Sequence, residues 1–381
     1  MSSLPLALPA ADAADTVDAP AIVRIKPLGP QWETLDPFLF CVHHDDAYPA
    51  ANPRMGPDAS LAGRAIGQDF SRKDGWSMYH GREIAGFPSH PHRGFETVTI
   101  VRKGLIDHAD SLGATARFGS GDVQWLTAGS GVVHAEMFPL LDTGAPNPLE
   151  LFQIWLNLPA RSKMVPPHFT MLWNEQLPKR VARDAQGRTT DIVVVAGALA
   201  GSSDADISAA TLAPRASVTP LAPSAPLLPL VPPPDSWAAQ ADADVAIWTI
   251  RMAPGAHWTL PPARSDATRR NLYFFAGGPI VVASQTVDAH GAIELRGSQA
   301  VDLINTGNDV AEFLLLQGRP IGEPVVQHGP FVTNTRAEIT QTFEDYQRTQ
   351  FGGWPWADNA PVHGRDPARF AVHPGGLEER P

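Results

Sequence analysis

Apolar positions in the first half of the chain come in short runs closed by Gly, Pro or Asp, and β signals are dense from Ile22 to about Pro159. From Phe95 to Val101, Thr97 and Thr99 alternate with Val98 and Ile100, and Lys103-Gly104 ends the run. Asp110-Ser111-Leu112-Gly113 reads as a turn. Gly119 and Gly121-Asp122 precede a second run, Val123 to Leu126, and Ala128-Gly129-Ser130-Gly131 precedes a third, Val132 to Phe138. Leu149 to Leu158 is a further strand candidate, stopped by Pro159. Short strands with turns at this spacing predict an antiparallel barrel or sandwich. The stretch from Asp45 to Tyr79 breaks the pattern. It is rich in Gly, Pro, Asp and Ser, and reads as a long loop bordering the site.

The second half echoes the first in pattern more than in identity. Leu272 to Gly278 parallels Val98 to Gly104, and Gly297 to Gly307 loosely parallels Gly119 to Gly131. Two barrels of similar topology are expected, spanning 22–165 and 166–333. Residues 1–21 read as a disordered tail, and a Pro-rich insert over 214–241 lies within or beside the second barrel. Ala311 to Gly318 falls where the His134-Glu136 strand falls in the first half, so Phe313, Leu314 and Leu315 stand near the positions of that pair. The second barrel is therefore expected to hold no metal and to be packed with apolar side chains; His257 is its one histidine near the first pair's position. Over 334–354, Thr335 with Glu338 fits a capping box, and Ile339, Phe343, Tyr346 and Phe351 fall near one face of a helix that Gly352-Gly353 stops. Residues 355–381 are polar and Pro-rich and are expected to be loosely held.

The net charge of −11 argues against a broad electrostatic grip on nucleic acid or an anionic membrane, though not against a protein partner. No run is long and apolar enough to span a bilayer, and the start has neither a basic, apolar secretory signal nor an acid-poor transit peptide. A lone cysteine, Cys41, excludes an intrachain disulfide framework and suits a reducing interior, so the expected setting is soluble and cytoplasmic.

The chemistry lies in His90-Pro-His92-Arg-Gly-Phe-Glu96 and in His134-Ala-Glu136. Side chains at i and i+2 of a strand share a face, so each pair aims both members at one point. Three imidazoles and one carboxylate suit a first-row transition metal and leave coordination places open for a substrate oxygen or O2. A structural zinc would more often use thiolates. Glu96 is a candidate fifth ligand or a hydrogen-bonding neighbour, depending on the register after Gly94. Asp107, His108 and Asp110 read as solvated groups at a hairpin end, and His43-His44 as part of the site entrance. Phe87, Phe95, Trp125, Phe138 and Trp155 are candidates for an aromatic wall. There is no phosphate loop, dinucleotide fingerprint or nucleophile elbow.

With these motifs in hand, the chain resembles the pirin family of the cupin superfamily. The likeness rests on GFPSHPHRGFETVT (Gly86 to Thr99), DSLG (Asp110 to Gly113), GDVQWLTAGSGVVHAEMF (Gly121 to Phe138) and the block from Arg319 to Trp354. The resemblance implies an all-β protein of two tandem cupin (antiparallel β-barrel, jelly-roll) domains with a short C-terminal helix and one metal in the first barrel. It implies His90, His92, His134 and Glu136 as the metal ligands. The metal would most often be Fe(2+), with Ni, Mn, Cu or Zn as alternatives. Some family members oxidise flavonols such as quercetin, with O2 as co-substrate and loss of carbon monoxide. That implies a small aromatic substrate here, with Glu136 as catalytic base. Others act as redox-sensitive regulators through protein partners, which is the alternative reading.

Overall fold

The computed structural model describes residues 19–199 and 226–381. The expected disordered tail therefore lies, up to residue 18, outside the described residues, as does the Pro-rich insert up to residue 225. The first half supplies β1 (Ile22–Pro27), β2 (Phe38–Tyr48), β3 (Ala85–His92), β4 (Phe95–Lys103), β5 (Leu105–Asp110), β6 (Thr115–Gly119), β7 (Val123–Thr127), β8 (Val132–Phe138), β9 (Asn147–Asn157) and β10 (His168–Leu172). The second supplies β11 (Lys179–Arg183), β12 (Thr189–Ala196), β13 (Ala246–Met252), β14 (His257–Leu260), β15 (Arg269–Ala276), β16 (Ile280–Val282), β17 (Gln285–Val287), β18 (Gly291–Leu295), β19 (Val301–Asn305) and β20 (Ala311–Gly318). Then come β21 (Val326–His328), β22 (Phe331–Thr333), α1 (Arg336–Thr349), β23 (Phe370–Val372) and β24 (Glu378–Glu379).

Two antiparallel sheets, β10-β7-β4-β9-β2 and β24-β23-β6-β5-β8-β3, form the first barrel. Its core joins Leu126, Leu151 and Phe169 of one sheet to Ile106, Phe118 and Phe138 of the other. The second barrel pairs β1-β18-β15-β20-β13-β12-β11 with β14-β19-β16-β17. The two barrels meet back to back. Val98, Ile100, Trp125 and Ile154 of the first pack with Val195, Ile247, Tyr273 and Leu314 of the second. The alternation in β4 therefore does not separate core from solvent. Val98 and Ile100 face the other barrel, while the intervening Thr97 and Thr99 are also buried, on the opposite side of the strand.

Four stretches differ from the expectation. β1 pairs with β18 in the second barrel rather than with the first. β10, beyond residue 165, pairs with β7 of the first. Residues 355–381 are not loosely held: β23 pairs with β6 and β24 with β23. The buried Arg117 anchors this segment by donating to the carbonyls of His363, Gly364 and Asp366. Asp45 to Tyr48, expected as loop, continues β2.

Topology also corrects the echo between the halves. β20 lies between β15 and β13, as β9 lies between β4 and β2. The counterpart of β8 is β19, which lies between β14 and β16 as β8 lies between β3 and β5. Apolar Val301 and Leu303 of β19 enter the second core, together with Phe313 and Leu315 of β20. His257 does begin β14, the counterpart of β3, but it is part-exposed and sits 3.4 Å from Asp302 at the surface.

Candidate metal centre

β3 carries two prolines, which a central strand would not tolerate because each removes a ladder donor. It is the edge strand of its sheet, where its strand neighbour is β8, and on its other side Gly86 makes an isolated bridge to Tyr79. Phe87 lies opposite Glu136 and His90 opposite His134, so β3 spends one more residue than β8 between these pairs. That bulge at Pro88-Ser89 re-aims His90. Gly94 follows at φ +86°, and a Cβ there would lie 1.9 Å from the carbonyl oxygen of Val332. The turn at Gly94 resets the register before β4 begins.

His90, His92 and His134 converge, with one ring nitrogen from each lying within 4.8 Å of the others. Their ring centroids are 4.5 to 4.8 Å apart. Metal–imidazole bonds near 2.1 Å would hold such nitrogens within roughly 4 Å of one another, so only a small adjustment separates this cluster from a coordination shell. His90 Nδ1 donates to the Pro88 carbonyl at 2.8 Å, which leaves Nε2 with its lone pair. Both ring nitrogens of His134 are buried without a protein partner, as is Nδ1 of His92. Buried polar atoms are rarely left so, and a divalent cation would take the lone pair of one nitrogen on each ring. Loss of solvation pushes the His90 imidazole down to about 4 and those of His92 and His134 well below their ordinary range. All three are therefore neutral, the form that ligates.

Glu136 stands slightly apart from the three imidazoles. Its Oε2 is 3.8 Å from His134 Nε2 and accepts from Gln153 Nε2 at 3.0 Å. The Thr99 hydroxyl sits 3.1 Å from its Oε1 and 2.5 Å from Gln153 Oε1, and its one proton serves one of them at a time. Burial raises the Glu136 carboxyl above its ordinary range. Its carboxylate thus lies between the two sheets of the barrel, held by groups from the sheet opposite. Thr99 and Gln153 were not singled out from the sequence. The available signal was a polar residue set between apolar neighbours, Thr99 between Val98 and Ile100 and Gln153 between Phe152 and Ile154.

Glu96 is not at this centre. It faces away from Thr97, and its carboxylate accepts from Thr127 at 2.7 Å and from Ser236 at 2.5 Å. The Gly94 turn breaks the face-sharing with His92 on which its candidacy rested. Asp107, His108 and Asp110 are fully buried rather than solvated. Asp107 pairs with Arg117, while His108 Nε2 lies 3.1 Å from Asp110 and its ring centroid 5.6 Å from that of His134. His43 turns toward Glu150 and Phe152, and His44 lines the cavity with its Nδ1 2.7 Å from the Tyr79 hydroxyl, which in turn donates to Asp46.

His90, His92 and Glu136 line a cavity of about 1420 Å³, and the fully buried His134 lies against the two histidines without lining it. Phe87, Phe138 and Trp155 line it, as does Phe40, which the sequence reading passed over. Phe95 and Trp125 are fully buried and do not. Trp155 stands edge-on to His92 with ring centroids 5.5 Å apart. Phe70, His80 and residues 356–362 also line the cavity. A small number of polar groups at the base of a mostly apolar pocket is the usual form of a small-molecule site. Among the described residues, no helix is long and apolar enough to cross a membrane.

Comparison with known proteins is consistent in both halves. The family model described as Pirin matches residues 23–156, and that described as Pirin C-terminal cupin domain matches 247–352. A pirin-like protein of Solanum lycopersicum is 31% identical over 296 residues, covering 76% of this chain and 86% of the relative. A pirin-like protein of Caulobacter vibrioides is 34% identical over 268 residues, covering 70% and 81%. The crystal structure of a quercetin 2,3-dioxygenase from Acinetobacter baumannii is similar with a TM-score of 0.58 at 25% identity, covering 88% of this chain and 96% of that one.

Proposed function

Because this chain belongs to the pirin family, we propose that it is a metal-dependent dioxygenase that opens the ring of a flavonol-like enol with O2. His90, His92, His134 and Glu136 would hold one divalent transition metal. Iron is the first choice, and nickel, manganese, copper or zinc suit the same donors. The observation that carries the reading is the set of three neutral imidazoles, two of which line an aromatic-lined cavity, with both His134 nitrogens unpartnered. The likeness to a quercetin 2,3-dioxygenase supports the substrate class.

When bound, the metal supplies Lewis-acid and redox chemistry toward the enol oxygen and O2. The protein's own groups do the rest. Trp155, Phe87 and Phe138 offer ring faces and edges to a planar substrate and keep water from it. The Glu136 carboxylate accepts the proton of the enol hydroxyl. Gln153 and Thr99 hold that carboxylate toward the histidines. The His90–Pro88 hydrogen bond fixes the ring tautomer, so Nε2 is the nitrogen presented. Cys41, buried and unpaired, suits a reducing cytoplasmic setting.

The test is anaerobic purification and metal analysis, followed by oxygen consumption and carbon monoxide release with quercetin. Uptake of O2 by the loaded protein is expected. No uptake with the iron-, nickel-, copper- and manganese-loaded forms would count for a redox-sensitive regulatory protein instead.

A further inference from the structure

We propose that residues 356–362 form the outer wall of the ligand cavity and fix the size of the aromatic molecule that reaches the histidines, with Val362 as a specificity-determining residue. This rests on the reading of the cavity as a site for a flat aromatic ligand, and it concerns residues beyond 352, where the family match ends.

Every residue from Trp356 to Val362 lines the cavity, and most of them are apolar. The wall is fastened at several points. Trp356 Nε1 donates to the Asp110 carbonyl at 2.9 Å, and Trp354 Nε1 to that of Asp358 at 2.8 Å. Past the wall, Asp107 accepts the His363 amide at 2.7 Å, and Arg117 holds the carbonyls that follow. These anchors lie on β5 and β6, which belong to the same sheet as β3 and β8. The wall is thus tied to the sheet that carries all three histidines.

One contact links it to the centre directly. The bulge at Pro88-Ser89 takes the Ser89 amide out of the ladder with β8. An unpaired amide is costly where water is excluded. The carbonyl of Asn359 accepts it at 2.7 Å. Ser89 immediately precedes His90, so the segment that bounds the ligand also completes the bulge that aims a histidine. A wall held at both ends and in its middle does not give way freely to a larger ligand, and so limits how many fused or linked rings fit beside it.

The experiment compares wild type, Val362→Trp and Val362→Ala by calorimetric titration with catechol, 2,3-dihydroxynaphthalene and quercetin. Val362→Trp is expected to weaken quercetin binding at least tenfold and catechol binding less than twofold. Val362→Ala is expected to leave catechol unchanged and to narrow the preference between the two- and three-ring ligands. If Val362→Trp does not fold, the Val362→Ala ratio decides. Equal changes across the series, no change, or a wild type that binds none of the three overturns the proposal. Size-graded binding without oxygen uptake would leave the wall standing and remove the dioxygenase reading, so the two fail separately.

Discussion

At the scale of single residues, the centre depends on nitrogens that have nothing else to do. His134 contributes a fully buried ring with no protein hydrogen bond, which is costly unless a cation takes the lone pair. His134→Ala is expected to abolish stoichiometric metal in the purified protein while leaving the circular dichroism of the barrels intact; full metal occupancy in that variant would remove His134 from the ligand set. Gln153 acts one step further out, through Glu136. Gln153→Leu should lower metal affinity or turnover on the order of tenfold, as the loss of a group that orients a ligand typically does. Titration with a competing chelator reads the first and steady-state oxygen uptake the second. The HxH and HxE pairs were legible because a strand's two-residue period aims them without help from tertiary structure. Gln153 and Thr99 were not legible as partners of Glu136, because they reach it from the facing sheet, and a single strand does not reveal what stands opposite.

At the scale of elements, the short signals that stop and start the chain were the readable ones. Thr335 caps α1 by accepting from the Glu338 amide, and the Glu338 side chain accepts the Thr335 amide at 2.7 Å, the box expected from the sequence. This helix does more than end the fold. Arg93, next to His92, donates to Asp345 of α1 at 2.9 Å and to the Ser130 carbonyl at 2.6 Å. Phe351 packs under the same guanidinium, 4.4 Å from its carbon. The helix therefore braces the turn between the histidine strand and β4. Thr335→Ala should cost about 1 kcal/mol in a urea titration, with metal content unchanged, since the cap lies at the far end of the helix from Asp345. Strand membership was read less well. The pairing of β1 with β18 and of β10 with β7 joins residues far apart in sequence, and local pattern carries no information on which sheet an apolar run will join. The bulge in β3 was hidden for a related reason: two prolines and a glycine obscure the alternation, and only the ladder with β8 shows the extra residue.

At the scale of the whole molecule, the five-stranded sheet of the first barrel buries its back against the seven-stranded sheet of the second, and that explains a polar group inside an otherwise apolar contact. Glu96 sits on the interface face of β4 beside Val98, fully buried, and Ser236 approaches it from the segment between β12 and β13 of the second barrel. Burial raises the Glu96 carboxyl to about 7, against the partly opposing hydrogen bonds from Ser236 and Thr127. The sign of its effect on stability follows from linkage. The folded state holds the Glu96 proton more tightly than the unfolded chain, whose carboxyl titrates near 4.5. Its contribution is therefore complete below about pH 4.5 and is lost as the pH rises toward 7. A tenfold difference in proton affinity between the two states corresponds to about 1.4 kcal/mol, so the loss is on the order of 3 kcal/mol across that window. Glu96→Gln removes the titration and keeps nearly the same shape. Urea midpoints at pH 5 and pH 8 should therefore fall with rising pH in wild type by more than in Glu96→Gln, with the difference confined to the interval between about 4.5 and 7. Parallel pH profiles for the two proteins would mean that Glu96 is ionised in the folded state. The contact between the barrels would then have to stabilise a buried negative charge through neutral groups, the hydroxyls of Ser236 and Thr127 and the indole of Trp125, with no cation beside it among the described residues.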